Sequence, residues 1–304
     1  MKNIKKVILL VFSIFLIYIC FLSIFSVKAF DNNSIFPIHT FEIKPEIVYM
    51  NYEEPEYPRI EMEGFLYGIS GKYIYHGMYN IMCRLNLEYF GGNLDYDGWL
   101  QVIGNNQIYY IPAHDDSDDY IIQARGLIGY DIKKETYAIT LFTGFAFRYW
   151  RDRLEGEGGY KRIIKYWYSP IGIKLTVPLS YTRGPGGERH LKWSWGASAE
   201  YDIFWKGKVK MYLSDAVPEY NDPEVDQDPF DGYGLRFSLW LKRNINKNLA
   251  VSIEPFVRYW WVNRSDAEML TSNGTPVYIN GSPVYVYEPK NRTYIYGIFL
   301  NFIF

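Results

Sequence analysis

Residues Asn291 to Phe304 read NRTYIYGIFLNFIF, and this stretch decides the fold. Counted back from Phe304, the positions Phe302, Leu300, Ile298, Tyr296 and Tyr294 are all apolar or aromatic. Between them lie Asn301, Gly297 and Thr293, with Phe299 the one large apolar residue out of step. A period of two is the signature of a β-strand whose faces meet different surroundings. Two further series repeat it. Leu191, Trp193, Trp195, Ala197, Ala199, Tyr201, Ile203 and Trp205 alternate with Lys192, Ser194, Ser198, Glu200 and Asp202. Leu249, Val251, Ile253, Pro255, Val257, Tyr259 and Trp261 alternate with Ser252, Glu254 and Arg258. No segment beyond residue 40 shows a convincing helical period.

A soluble sandwich also alternates, so other features must choose between it and a membrane barrel. The alternating segments run roughly 12–16 residues, against about 5–6 for globular strands and nearer to strands that cross a bilayer at a tilt. Aromatics gather near the segment ends, where interfacial girdles belong. A final strand with alternating apolar positions and a terminal Phe resembles the C-terminal signal of bacterial outer-membrane barrels. Composition agrees: of 304 residues, 30 are Tyr, 19 Phe and 9 Trp, yet 22% are charged and mean hydropathy is −0.19. So many aromatics exclude a disordered chain. So modest a hydropathy excludes a bundle of membrane helices, and 2 Cys are too few for a disulfide scaffold.

The N-terminus reads as an address. Lys2, Lys5 and Lys6 precede the uncharged run 7–27, and Val27-Lys28-Ala29 offers small residues to a signal peptidase. Residues 1–29 are therefore expected to be a cleaved secretory signal. The apolar run exceeds the usual length of about 7–15 residues, which leaves an uncleaved anchor as the alternative. Cleavage would remove Lys2, Lys5, Lys6 and Lys28 and no acid, making the chain more acidic than its formal −2, and would leave only Cys83. A mildly acidic exported chain does not fit nucleic-acid binding. Residues 30–40 then form a periplasmic segment, and 41–304 a barrel in the outer membrane.

The expected fold is all-β: an antiparallel transmembrane β-barrel with strands at 41–52, 63–76, 78–91, 118–133, 136–151, 162–178, 190–206, 231–243, 248–262 and 291–304. These make ten, and even counts are the rule for bacterial single-chain barrels. Five long extracellular loops follow (53–62, 92–117, 152–161, 207–230 and 263–290), and the periplasmic connections are Gly77, Lys134-Glu135, 179–189 and 244–247, of which 179–189 is long for such a turn. A twelve-stranded alternative adds 207–214 and 276–287, although 207–214 also reads as an extension of strand seven. The inward series carries Arg84, Glu88, Arg125, Asp131, Arg148, Glu200, Asp202, Arg236, Glu254 and Arg258. A ten-stranded bore is narrow, and isolated charges in it are costly. These residues are expected to pair into a plug; a small polar pore is the alternative.

Function then falls to the outer loops. In the second, Asp95 and Asp97 stand two apart, so on an extended backbone their carboxylates share a face. Such a pair can hold a water and take its proton, although a solvated Asp/Gly turn explains it as well. Farther along, Asp115, Asp116, Asp118 and Asp119 offer oxygen ligands for Ca²⁺, or form a merely solvated acidic loop. Near the third loop, Arg151, Arg153, Lys161 and Arg162 could contact lipopolysaccharide phosphates, or pair with Asp152, Glu155 and Glu157.

Ten strands, five long outer loops and a carboxylate pair in loop two resemble the omptins, the outer-membrane endopeptidases. Gly91-Gly92-Asn93 followed by Asp95, Asp97 and Trp99 is similar to the omptin loop-two segment, with the spacing different by one residue. Gly159-Tyr160-Lys161 and Asp226-Gln227 resemble further omptin runs. The likeness is patchy and spans most of 60–304. It implies a water held between the loop-two carboxylates and an Asp-x-His pair in loop four. Asp215 fills the place of that acid, but Val217 stands where the His belongs, and of His39, His76, His114 and His190 none lies in loop four. The reading favoured is a monomeric, non-enzymatic barrel among outer-membrane lipids, with no required cofactor. Its role is to display loops for a surface peptide or protein ligand, for adhesion, or for envelope structure. An endopeptidase using Asp95, Asp97 and Asp215 with a substituted base, and a narrow pore, are the rivals.

Overall fold

The structure, a computed structural model, describes residues 36–104, 106–183, 187 and 189–304. The expected signal, 1–29, and most of the 30–40 segment lie outside the described residues. Ten strands form the wall: β1 (His39–Glu54), β2 (Ile60–His76), β3 (Ile81–Gly104), β4 (Gln107–Lys133), β5 (Ala138–Arg153), β6 (Lys161–Arg183), β7 (Arg189–Tyr212), β8 (Gly232–Asn244), β9 (Ala250–Val262) and β10 (Asn291–Ile303). Each pairs antiparallel with its neighbours in the chain, and β10 pairs with β1. Closure continues to the last residue: Phe41 N–H donates to the Phe304 carbonyl at 3.0 Å, and Phe304 N–H to the Phe41 carbonyl at 2.8 Å. A closed sheet has no edge left unpaired in the bilayer.

Alternation sets the two faces. In β1, Glu42, Lys44, Glu46, Val48 and Met50 are buried in the lumen, while Phe41, Ile43 and Ile47 are exposed outward. Outward tyrosines line up across strands: Tyr89, Tyr120 and Tyr149 have ring centroids 6.2 and 5.9 Å apart, and Tyr201, Tyr233 and Tyr259 are spaced at 6.0 Å. This belt has the position of an interfacial girdle, and what lies beyond it toward the long connections is the outer end. Phe299, out of step in the sequence, faces the lumen and stacks on Phe256 at 4.5 Å. Gly297 makes the room, since a Cβ there would sit 2.4 Å from the Phe256 ring.

The ten-stranded count holds. Segment 276–287 forms no stave; with its neighbours it folds into small two-stranded pairs in the outer loop, Ala267–Met269 with Tyr285–Tyr287, Thr271–Ser272 with Thr275–Pro276, and Tyr278–Ile279 with Ser282–Pro283. The 207–212 stretch extends β7 and pairs with a short strand, Glu224–Gln227. Two expectations need correction. Residues 92–117 are not a loop: β3 and β4 stay paired from Ile81↔Tyr130 out to Gly104↔Gln107. The Gly- and Asp-rich composition suggested a turn, but Leu94 and Tyr96 still face the core on the strand's period. Strand three also starts at Ile81 rather than 78, because Met78–Asn80 forms a 3₁₀ turn in which Tyr79 and Asn80 take φ of 59° and 60°.

The lumen is filled, in layers. Its outer half is an apolar core that includes Met50, Leu66, Phe90, Trp150, Phe204 and Trp260, each almost fully buried. Below it lies the expected charged plug. Arg258 binds Glu88 through two nitrogens at 2.6 and 2.9 Å, Arg236 binds Asp202 at 2.7 Å, and Arg125 binds Glu200. Not every charge pairs. Among the described residues Arg148 meets no carboxylate and none of its guanidinium nitrogens has a hydrogen-bond partner; it lies 5.5–5.9 Å from the ring centres of Trp150, Tyr166 and Trp260. Ring faces attract a guanidinium electrostatically, and more strongly where water is excluded.

Candidate functional site

Asp95 and Asp97 do share a face, but it is the outer face of β3, since Leu94 and Tyr96 take the inward positions. Asp97 pairs with His114 Nδ1 at 3.2 Å, and both side chains are at least 70% exposed. Asp215 sits in the 3₁₀ turn Leu213–Asp215. Among the described residues, no hydrogen bond or ion pair joins it to Asp95 or Asp97. Three carboxylates expected to converge are therefore spread over the outside of one hairpin and a separate turn.

The Asp115–Asp119 run is divided by the same period. Residues 107–133 are strand, so Asp119 points in and accepts from Trp150 Nε1 at 2.5 Å, while Asp118 points out to Arg151 at 2.8 Å. Asp115 and Asp116 are exposed. The Ca²⁺ expectation is corrected accordingly: alternate residues of a strand cannot wrap one ion, and no group of three or more ligating side chains occurs among the described residues.

Arg162 is also corrected. It faces the interior and gathers carboxylates, with Asp152 at 2.9 Å, Glu54 at 2.8 Å and Glu288 at 3.5 Å. Tyr52 donates to Glu54 at 2.8 Å and lies 3.1 Å from Glu288. Asp152 and Arg162 are cross-strand partners, Glu54 ends β1, and Glu288 arrives from the loop before β10. This knot ties the long outer loop to the wall. Burial pushes the Glu288 carboxyl up to about 8, despite the pull of Arg162, and burial pushes Asp152 up as well. Sequence reading missed Glu54 and Glu288, which carry no local motif.

Arg151, Arg153 and Lys161 do face outward, just beyond the girdle, and the structure adds Lys165, Lys206, Lys208 and Lys210. Register sets them in rows: Arg153–Lys161–Tyr212, Arg151–Ile163–Lys210 and Tyr149–Lys165–Lys208. A bulge at Trp205-Lys206 makes this possible. Asp202 and Phe204 point into the barrel, and without the extra residue Lys206, Lys208 and Lys210 would follow them. Lys161 and Lys210 lie 3.7 and 4.8 Å from the Tyr212 ring centre. Lys206 binds Asp226 at 2.6 Å, and Lys208 binds Glu224 and Asp226. The Lys-x-Lys-x-Lys spacing at 206–210 was the available sequence signal for this face.

The opposite, inner end of the lumen is cationic. Lys44, Lys72, Arg84, Lys174 and Lys242 project there from five strands; Glu42 engages Lys44 and Lys72 at 3.3 and 2.9 Å, and Glu254 engages Lys44 at 2.7 Å. Asp131 is taken by His76 at 2.5 Å and by Thr140 at 2.6 Å.

No protein-family model and no curated protein matches the sequence. Among solved structures, the outer membrane protease OmpT from Escherichia coli superposes with a TM-score of 0.53 at 12% identity, over 92% of this chain and 99% of that one. The Pseudomonas putida toluene transporter TodX gives 0.33 at 9% identity over 87% and 89%, and Neisserial surface protein A gives 0.30 at 10% over 86% and 96%. At such identity the likeness is one of fold. The chain has the fold of that protease, a barrel of ten antiparallel strands closed on themselves.

Proposed function

We propose that this protein is a non-enzymatic, monomeric outer-membrane barrel that holds lipopolysaccharide on one side of its outer rim and displays its hairpins for surface binding. Export through residues 1–29 belongs to the same reading. The observation that carries it is the cationic face of β5–β7. Arg151, Arg153, Lys161, Lys165 and Lys210 stand beside Tyr149, Trp167 and Tyr212, at the height where lipid headgroups meet the girdle. Guanidinium and ammonium groups suit phosphate, and rings next to them suit the boundary between headgroup and acyl chain. The filled lumen speaks against a pore. The exposed, outward Asp95 and Asp97, with no base held against them from loop four, speak against hydrolysis of the omptin kind.

The test is lipopolysaccharide binding by the refolded barrel in detergent. The wild type is expected to bind at low salt and to weaken as salt rises. An Arg153→Ala, Lys161→Ala, Lys165→Ala variant is expected to lose about tenfold or more in affinity, since each lost charge-assisted contact carries roughly 1.5–3 kcal/mol at most. Unchanged affinity would remove the basic face from the account. Incubation with a mixed peptide library tests the rival reading: cleavage that disappears in Asp97→Ala would establish a protease instead.

A further inference from the structure

The inner end of the lumen encloses a cavity with about 770 Å³ of space, part of it open to solvent, among Lys72, Arg84, Lys174, Thr176, Trp240 and Lys242. We propose that it is a binding site for a small multivalent oxyanion of the phosphate class, taken up from the periplasmic solution. This goes beyond the surface reading above and does not depend on it.

Charge balance is the first argument. Of the five cations at this end, Glu42 and Glu254 engage Lys44 and Lys72. Arg84, Lys174 and Lys242 make no ion pair among the described residues, so two acids at this end are left to balance five cations. Arg84 lies over the Phe142 ring at 4.7 Å, and Lys174 over Trp240 at 5.0 Å, so both already use the weaker attraction of a ring face. Unpaired cations side by side in a narrow bore repel and cost stability. In the plug, Arg258, Arg236 and Arg125 each have an acid; here Glu42 and Glu254, which line the same cavity, face five cations.

The donors are the second argument. Thr176 is almost fully buried, lines the same cavity, and its hydroxyl has no hydrogen-bond partner. Arg84, Lys174, Thr176 and Lys242 come from β3, β6 and β8, so their donors approach the space from separate parts of the wall. A tetrahedral oxyanion offers acceptors in several directions at once, and fixed ammonium and guanidinium donors suit it. The walls are the inner faces of strands, turned away from the lipid. The ligand class is therefore a free anion rather than a lipid headgroup.

Pyrophosphate is the probe. Full-length protein, refolded in zwitterionic detergent without phosphate, is titrated calorimetrically at constant ionic strength in sodium chloride and melted with and without the anion. One saturable site and a raised melting temperature are expected. Lys174→Gln and Lys242→Gln should each weaken binding about tenfold, as loss of one charge-assisted contact does, and Thr176→Val should weaken it less. Lys247→Gln, an exposed lysine in the turn at the same end, should bind as the wild type does. Melting without anion shows that each variant is folded, and the two lysine variants should then melt no lower than wild type. Absence of saturable binding, a response that chloride reproduces, or equal affinity in the Lys174 and Lys242 variants would overturn the proposal.

Discussion

The two ends of the lumen carry opposite imbalances and resolve them differently. At the outer end, Glu54, Asp152 and Glu288 surround the single guanidinium of Arg162, with Asp119 nearby on Trp150. At the inner end, five cations meet Glu42 and Glu254. The outer excess is sealed beside the apolar core: Glu54, Asp152 and Glu288 are each at most 3% exposed. A carboxylate sealed away from water can keep its proton, and burial does hold Glu288 protonated into the neutral range. The inner excess instead borders an open cavity, where solvent or a counter-ion can balance it. Burial decides which way an unbalanced cluster is relieved.

Arg162 gives the largest way to break this contrast. Arg162→Met leaves three buried carboxylates without the cation they share, and removing one partner of a buried pair costs about 3–5 kcal/mol. Guanidinium unfolding of the refolded protein near pH 7.5 should show that loss, whereas Lys242→Met at the inner end should unfold at the same denaturant concentration or a higher one. Similar losses at both ends would mean that the inner cations are paired in solution and that the comparison fails.

Glu288→Gln sharpens it by pH. The carboxyl has an ordinary value of 4.5, and burial holds it at about 8 in the fold. Below pH 4.5 it is protonated in both the folded and unfolded chain. As pH climbs toward 8 the unfolded chain releases this proton while the fold retains it, so stability declines across that window and levels off above it. Glu288→Gln should flatten this part of the profile. Hydrogen-exchange protection in residues 263–290, taken relative to intrinsic exchange rates, should fall across the same window in the wild type and not in the variant, because Glu288 is what ties that loop to Arg162. A wild-type profile that rises between pH 5 and 8 would contradict the assigned direction.

The staves were legible because each alternates against lipid: Leu300, Ile298 and Tyr296 point out in the structure as the spacing of the last strand required. Inward charges such as Glu88 and Arg258 were legible for the same reason, although their partners were not, since they lie 170 residues apart in the chain. The reading failed at two kinds of place. The bulge at Trp205 reversed the parity, hiding Lys206, Lys208 and Lys210 from an alternation rule that ran through Asp202. The extended β3–β4 hairpin kept it where composition said loop, which turned Asp95, Asp97 and Asp118 outward and Asp119 inward. Glu288 had no periodic neighbour at all, being placed by a loop.

The smallest effect belongs to carboxylates that share the outer end with Glu54 but lie on the other face of the wall. Asp97 is cross-strand partner to Glu61, and both lie on the face turned away from the core; its own side chain is 75% exposed. Water and salt screen its contact with His114, and exposed pairs contribute little. Asp95→Ala, Asp97→Ala together should therefore change unfolding stability by less than about 0.5 kcal/mol and leave lipopolysaccharide affinity unchanged. An Arg162-sized loss in this variant would mean that the outer face of the hairpin is covered in the folded protein. In that case the contrast between sealed and solvated carboxylates would have to be redrawn around whatever covers it. If stability holds and no peptide is cleaved by either protein, the difference between Asp97 and Glu54 reduces to one step of strand parity: a carboxylate facing the bore ties a loop to the wall, and one facing away is left to the solvent.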